Sequence, residues 1–207
     1  MNEDIIVIDN FIPKPYQDAL ETMVSDELFE WGYTPDVVWE RHALRRAFQD
    51  SLKQNNDGFT QIIKVPRFEG KNWDAVHPMM FYLEQAVGQP LKEVMRVRAN
   101  LLLRAYPGDL MWNNEHVDAT HPHWTAIYYV KDSDGPTYIF DQRVTDIQHK
   151  NKTQEVVLKY VNETEFTVAN SVQPKKGRVV IFDGQRFHAS SKPKEHQNRV
   201  VIAFNWH

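Results

Sequence analysis

After Met95 the apolar residues of this chain stop recurring at helical spacing and begin to alternate, and segments of strand character follow one another to the end. Alternation commits a segment to a pleated backbone with one face buried, so more than half of these 207 residues are bound to a β architecture. Residues 96–106 carry Val97, Ala99, Leu101, Leu103 and Ala105 on one face and Asn100, Arg104 and Tyr106 on the other. The polar face is the one expected to continue toward a functional site. Further strands are expected at 124–130, 137–140, 154–158, 166–169, 178–182 and 199–206.

The first 95 residues read differently. A strand is expected at 5–11, and a helix at 15–26, where Tyr16, Leu20, Met23 and Val24 fall on one face. Phe29, Trp31 and Tyr33 alternate in a short strand over 28–33, and 60–65 is a further candidate strand. Residues 74–87 place Val76, Met79, Met80, Leu83 and Val87 on one helical stripe that stops at Gly88, with Pro90 beyond. A methionine-bearing stripe of this kind is core, and no chemistry is assigned to it. Between these, Arg41, His42, Arg45 and Arg46 form a basic cluster, followed by the turn-rich run Asn55-Asn56-Asp57-Gly58. The cluster reads as a solvated surface, or as a lid or substrate-recognition loop somewhere within 34–73.

Helices followed by about eight strands give an α+β fold: a double-stranded β-helix, or jelly roll, with supporting N-terminal helices. The expected organisation is one domain over 1–207, with 1–95 as helical support and 96–207 as the jelly-roll core. Such a barrel has a mouth where inward-facing residues of several strands converge, and ligands settle there.

Composition narrows the chemistry. With no cysteine, a metal can be held only by His, Asp or Glu, which suits hard or borderline ions such as iron. A formal charge of −4 offers no electrostatic reason for a polyanionic partner, so nucleic-acid binding is disfavoured. The acidic start MNEDIIVIDNF has the wrong charge and length for a signal peptide, and no apolar run reaches the roughly 18 residues needed to span a bilayer. A cytoplasmic location with no membrane partner is the expectation; oligomeric state is left open.

One stretch carries chemistry. In His116-Val117-Asp118 an extended backbone turns both polar side chains to the same side, which is two-thirds of a 2-His-1-carboxylate triad. Taken alone, such a pair is more simply a hydrogen-bonded loop pair, and with nine histidines the match could arise by chance. The third ligand belongs far along the chain, because paired strands of a jelly roll are distant in sequence. Gly177 to Gly184 reads as a strand running into a turn, and it delivers His188; eleven residues later a second strand opens with Arg199. A guanidinium there can hold a carboxylate bidentately, and Val201 and Ala203 on its face are small enough to leave room for a slim dicarboxylate. His121 and His123 could form another metal pair, but Pro122 between them suggests a loop. Trp112, Trp124 and Trp206 read as core or rim packing.

Tyr106-Pro107-Gly108, His116-Val117-Asp118, Thr125 to Val130, and Gly177, Phe182, His188 and Arg199 in this order resemble the Fe(II)/2-oxoglutarate-dependent oxygenases, and within them the prolyl 4-hydroxylase branch. The resemblance covers about residues 96–206. It implies Fe(II) held by His116, Asp118 and His188, and 2-oxoglutarate held by Arg199 with help from Tyr106 and Tyr129. Thr137 stands where the family shows a Gly-Gly-x-Thr turn, with Pro136 departing from it. The implied reaction is hydroxylation of a peptidyl proline or related substrate by O2, with succinate and CO2 formed and ascorbate as an optional reductant. Hydroxylation of an amino acid or another small molecule is the alternative. Asp118 argues against a halogenating relative, and Asn205, where nucleic-acid demethylating relatives carry a second arginine, argues against those. Outside the family, a zinc hydrolase with the same ligands and a non-catalytic, lectin-like or cupin-like binding protein are the other readings.

Overall fold

The structure, a computed structural model, describes residues 5–37 and 57–207. The basic cluster Arg41, His42, Arg45 and Arg46, and the start of the turn run at Asn55-Asn56, lie outside the described residues.

Two antiparallel sheets form the framework. The larger runs in the order β1 (Ile5–Ile8), β9 (Val179–Asp183), β6 (Trp124–Tyr129), β11 (Asn198–Trp206), β5 (Val94–Leu103), β3 (Gly58–Val65) and β2 (Gly32–Thr34), with β4 (Phe68–Glu69) paired to β3. The smaller has the order β10 (Arg186–Ser190), β7 (Thr137–Arg143) and β8 (Val168–Val172). Neighbours distant in sequence alternate between and within the sheets, which is the jelly-roll pattern expected from the strand spacing. No helix among the described residues is long and apolar enough to cross a membrane.

The period-2 alternation divides each central strand between two cores. Val97, Ala99, Ala126, Tyr128, Val200, Ile202 and Phe204 point outward and pack against Leu20 and Val24 of α1 (Lys14–Ser25) and Met79, Met80 and Leu83 of α3 (Met79–Val87). The intervening residues Ile127, Tyr129, Val180, Phe182, Val201 and Ala203 face inward and meet Ile139 and Val172 of the smaller sheet. The methionine stripe is therefore core, as the spacing implied. Each fully buried Leu or Ile in these layers contributes about 1.5–3 kcal/mol through apolar burial.

Several segments depart from expectation. Residues 154–158, expected as a strand, begin the helix α4 (Gln154–Glu163). Val156 and Val157 suggest a strand by β-branching, yet Val157, Leu158 and Val161 make one helical stripe, and Thr153 accepts from the Val156 N–H at the N-cap. Burial decides the matter, because Val157 and Val161 cover Tyr138, Phe140, Phe187 and Ala189 on the outer face of the smaller sheet. The helix expected over 74–87 is broken into α2 (Trp73–Val76) and α3 at His77-Pro78, since Pro78 has no N–H to donate and its ring crowds the preceding turn. Its C-terminus stands as expected, with Gly88 left-handed at φ 71°. The strand over 28–33 shrinks to β2, which starts at Gly32.

Candidate metal centre and cosubstrate pocket

The last strand organises the pocket. Along its inward face run Arg199, Val201, Ala203 and Asn205, paired in register with Leu102, Asn100, Arg98 and Arg96 of β5 on one side. On the other side Val201, Ala203 and Asn205 pair with Tyr129, Ile127 and Thr125 of β6. Most of this grid lines one cavity, which encloses ≈ 520 Å³ with its open mouth included and reaches His116, Asp118, Thr137, His188 and Ser190 on the opposite side.

His116 and His188 are brought together by the backbone itself. Each donates its N–H to the other's carbonyl, at 3.0 and 2.9 Å, in an isolated antiparallel bridge beside β10. Their rings lie 4.4 Å apart between centroids. Asp118, two residues on, turns toward the same point, and its Oδ2 lies 3.7 Å from His188 Nε2. One ligand atom from each of His116, Asp118 and His188 falls within 4.8 Å of the others, and this is the only such group of three or more among the described residues.

The protonation states suit a cation. His116 Nδ1 faces the Asn114 carbonyl at 3.1 Å and His188 Nδ1 the Arg186 carbonyl at 3.3 Å, so each Nδ1 is the donor and each Nε2 keeps its lone pair. Burial, with the neighbouring His188, pushes the His116 imidazole down to about 3, and burial likewise lowers His188. Burial alone would raise the Asp118 carboxyl, but the Arg96 guanidinium, His188 and His116 hold it well below its ordinary value. Two neutral imidazoles and one carboxylate, with a cavity on their open side, fit Fe(II) or a similar borderline ion.

A second polar cluster sits at the other end of the cavity. Arg199 is 3% exposed; its Nε donates to the Gly135 carbonyl at 2.8 Å and its Nη2 to Thr137 Oγ1 at 2.7 Å. The Tyr129 hydroxyl, also buried, donates to the same Thr137 oxygen at 2.7 Å, and its ring lies 5.6 Å from the guanidinium carbon. Burial raises the Tyr129 phenol, which keeps it a donor. Gly135 is required by close approach, since a Cβ there would lie 2.4 Å from the Ser191 carbonyl oxygen. Pro136 keeps the turn intact by offering its carbonyl to the Ser191 N–H at 2.9 Å.

Of the residues named from sequence, His116, Asp118, His188, Arg199 and Thr137 line the cavity, and Tyr129 stands behind it against Thr137 and Arg199. Tyr106 is not brought there: β5 ends at Leu103, Gly108 turns the chain at φ 97°, and Tyr106 is 69% exposed. His121 and His123 are 5.9 Å apart between ring centroids and His123 is buried against Gly184, so they do not form a metal pair of their own. Sequence reading missed Arg96, Arg98 and Ser190. The two arginines share the parity of Asn100 on β5, which was the signal available for them.

A protein-family model described as "Putative 2OG-Fe(II) oxygenase" matches residues 109–205, a span that includes the whole triad and Arg199. No curated protein matches the sequence. Among solved structures, a prolyl-4-hydroxylase from Pseudomonas putida is similar at 12% identity, over 99% of this chain and 92% of that one, with a TM-score of 0.52. The α-ketoglutarate-dependent epimerase SnoN from nogalamycin biosynthesis is similar at 11% identity over 98% and 76%, with a TM-score of 0.61. A Trichoplax adhaerens prolyl hydroxylase, solved with a hypoxia-inducible-factor peptide fragment, is similar at 10% identity over 99% and 84%, with a TM-score of 0.57. The segment that carries the buried His-Asp-His group and Arg199 on the jelly-roll frame is thus similar to the 2-oxoglutarate- and Fe(II)-dependent oxygenases.

Proposed function

We propose that the protein hydroxylates a peptidyl proline or a closely related substrate, using Fe(II), 2-oxoglutarate and O2 and releasing succinate and CO2. The observation that carries this reading is the pairing of a metal triad with a buried, carboxylate-ready arginine across one cavity. When bound, the iron supplies oxygen activation coupled to decarboxylation of the 2-oxo acid.

The chain's own residues provide holding and shielding. His116, Asp118 and His188 present their donors from one side. Arg199 donates from Nε to Gly135 and from Nη2 to Thr137, which fixes the guanidinium in the cavity lining, where it is placed to receive the far carboxylate of the cosubstrate. With Tyr129 donating to Thr137, the threonine proton is left for the same carboxylate. Val201 and Ala203 floor the space between the two ends, while Leu102 and Ile127 wall it with apolar surface that limits water.

The prolyl reading is supported by the resemblance of the motifs and by two similar structures named as prolyl hydroxylases. The likeness to an epimerase of a biosynthetic route keeps a small-molecule substrate as the second reading. The test is to load the metal-free protein with Fe(II) anaerobically, add 2-oxoglutarate and O2, and measure succinate with proline-containing peptides, with free amino acids and with neither. Succinate stimulated by the peptides, with a mass gain of one oxygen on proline, is expected. Stimulation by free amino acids alone moves the substrate to the second reading. No succinate under any condition points to a non-catalytic ligand-binding protein and overturns the proposal.

A further inference from the structure

The Asp118 carboxylate is gripped on both oxygens by side chains from two neighbouring strands. Arg96 of β5 forms an ion pair through Nη2 with Oδ1, and Asn205 of β11 donates from Nδ2 to Oδ2 at 2.8 Å. Arg96 and Asn205 are themselves cross-strand partners, and Asn205 is in turn the partner of Thr125 on β6. The three form one polar row at the end of the sheet nearest the triad.

The orientation of Asn205 follows from this row. Arg96 Nε donates to Asn205 Oδ1 at 3.2 Å, and an arginine can only donate, so the amide oxygen faces Arg96. The amide nitrogen is thereby turned to Asp118 Oδ2 and to Thr125 Oγ1, the latter at 3.0 Å. Every polar atom of the amide is used, and each use fixes the others. Oδ2 is also the oxygen that lies toward His188 Nε2. For Asp118 to turn both oxygens toward a metal, it would have to break the ion pair with Arg96.

We propose that Arg96 and Asn205 are positioning residues that hold Asp118 as a one-oxygen ligand. The inference rests on reading the triad as the metal site, and Arg96 lies outside the segment matched by the family model. Removing either partner frees the carboxylate to rotate or to swing away, with an expected loss of about 10–100-fold in metal affinity.

The test is Co(II) titration of the purified metal-free protein, followed by the visible d–d absorption of the bound ion, for wild type, Arg96→Ala, Arg96→Lys and Asn205→Ala, with folding checked by circular dichroism. Expected are weaker Co(II) binding and an altered d–d spectrum in all three variants. Arg96→Lys is decisive, because lysine keeps the charge but lacks the rigid edge of two nitrogens that Arg96 lays along Asn205 and Asp118. If folded Arg96→Lys matches wild type, the residue acts by charge alone and the proposal fails. It fails equally if Asn205→Ala and Arg96→Ala keep wild-type affinity and spectrum. Should Arg96→Ala not fold, the other two variants decide. Wild-type protein that binds no Co(II) would instead overturn the metal-site reading itself.

Discussion

Arg199 and Thr137 meet at a single hydroxyl oxygen, 2.7 Å from the guanidinium Nη2, inside a cavity wall that water barely reaches. This contact joins the last strand of the larger sheet to the first residue of β7 in the smaller one, so this end of the pocket also ties the two sheets together.

A buried cation without a buried anion favours any ligand that supplies one. Arg199→Ala is expected to weaken 2-oxoglutarate binding by about 2–5 kcal/mol, roughly 30-fold to several thousand-fold. Isothermal titration of the Mn(II)-loaded protein measures this. Wild type should also gain thermal stability on adding 2-oxoglutarate, and the variant should not.

The two tyrosines separate cleanly. Tyr129→Phe removes the hydroxyl that organises Thr137, and should weaken 2-oxoglutarate by about 1 kcal/mol, roughly 3- to 10-fold. Tyr106→Phe should leave the affinity unchanged, since Tyr106 lies outside the cavity lining. The same titration on both variants checks the contrast, and an equal loss in both would show that Tyr106 reaches the ligand.

Gly135→Ala would drive a Cβ against the backbone at Ser191, Lys192 and Pro193. None of these atoms belongs to a flexible side chain, so the turn must shift and carry the Gly135 carbonyl away from Arg199 Nε. The melting temperature and 2-oxoglutarate affinity are expected to fall together. A loss of stability with unchanged affinity would show that the turn moves without disturbing Arg199.

Acid should loosen the segment that leads into β11. Asp134 accepts the N–H groups of Lys194, Glu195 and His196 at 2.9, 2.9 and 3.1 Å. Burial would raise its carboxyl, but these bonds outweigh burial and hold it well below the ordinary 3.8. A lowered folded-state value means that the stabilisation is complete above about pH 3.8 and is lost as pH falls from there through the lowered value. Melting temperatures measured from pH 7 downward should therefore drop more steeply below that point for wild type than for Asp134→Asn, which cannot titrate.

The parts of this molecule legible from sequence are those encoded by local spacing. The two-residue step from His116 to Asp118, the alternation along β11 and the helical stripe of α1 each declare themselves within a few residues. What sequence did not reveal depends on what lies opposite. Val156-Val157 has the composition of a strand, and only the apolar outer face of the smaller sheet makes it a helix. Arg96 becomes part of the site because β5 and β11 pair in a register that sets it beside Asn205, 109 positions away. No local pattern carries that register. Tyr106 illustrates the converse: its spacing to His116 is suggestive, but the strand ends three residues earlier and the turn sends it outward.

The reciprocal amide bonds between His116 and His188 have a lasting consequence. The spacing of the two histidine backbones is set by their own peptide hydrogen bonds. Stripping the protein with a chelator should leave the nest standing, ready to recapture iron without refolding, so that loss of the ion is an interruption of service and not a collapse of the scaffold.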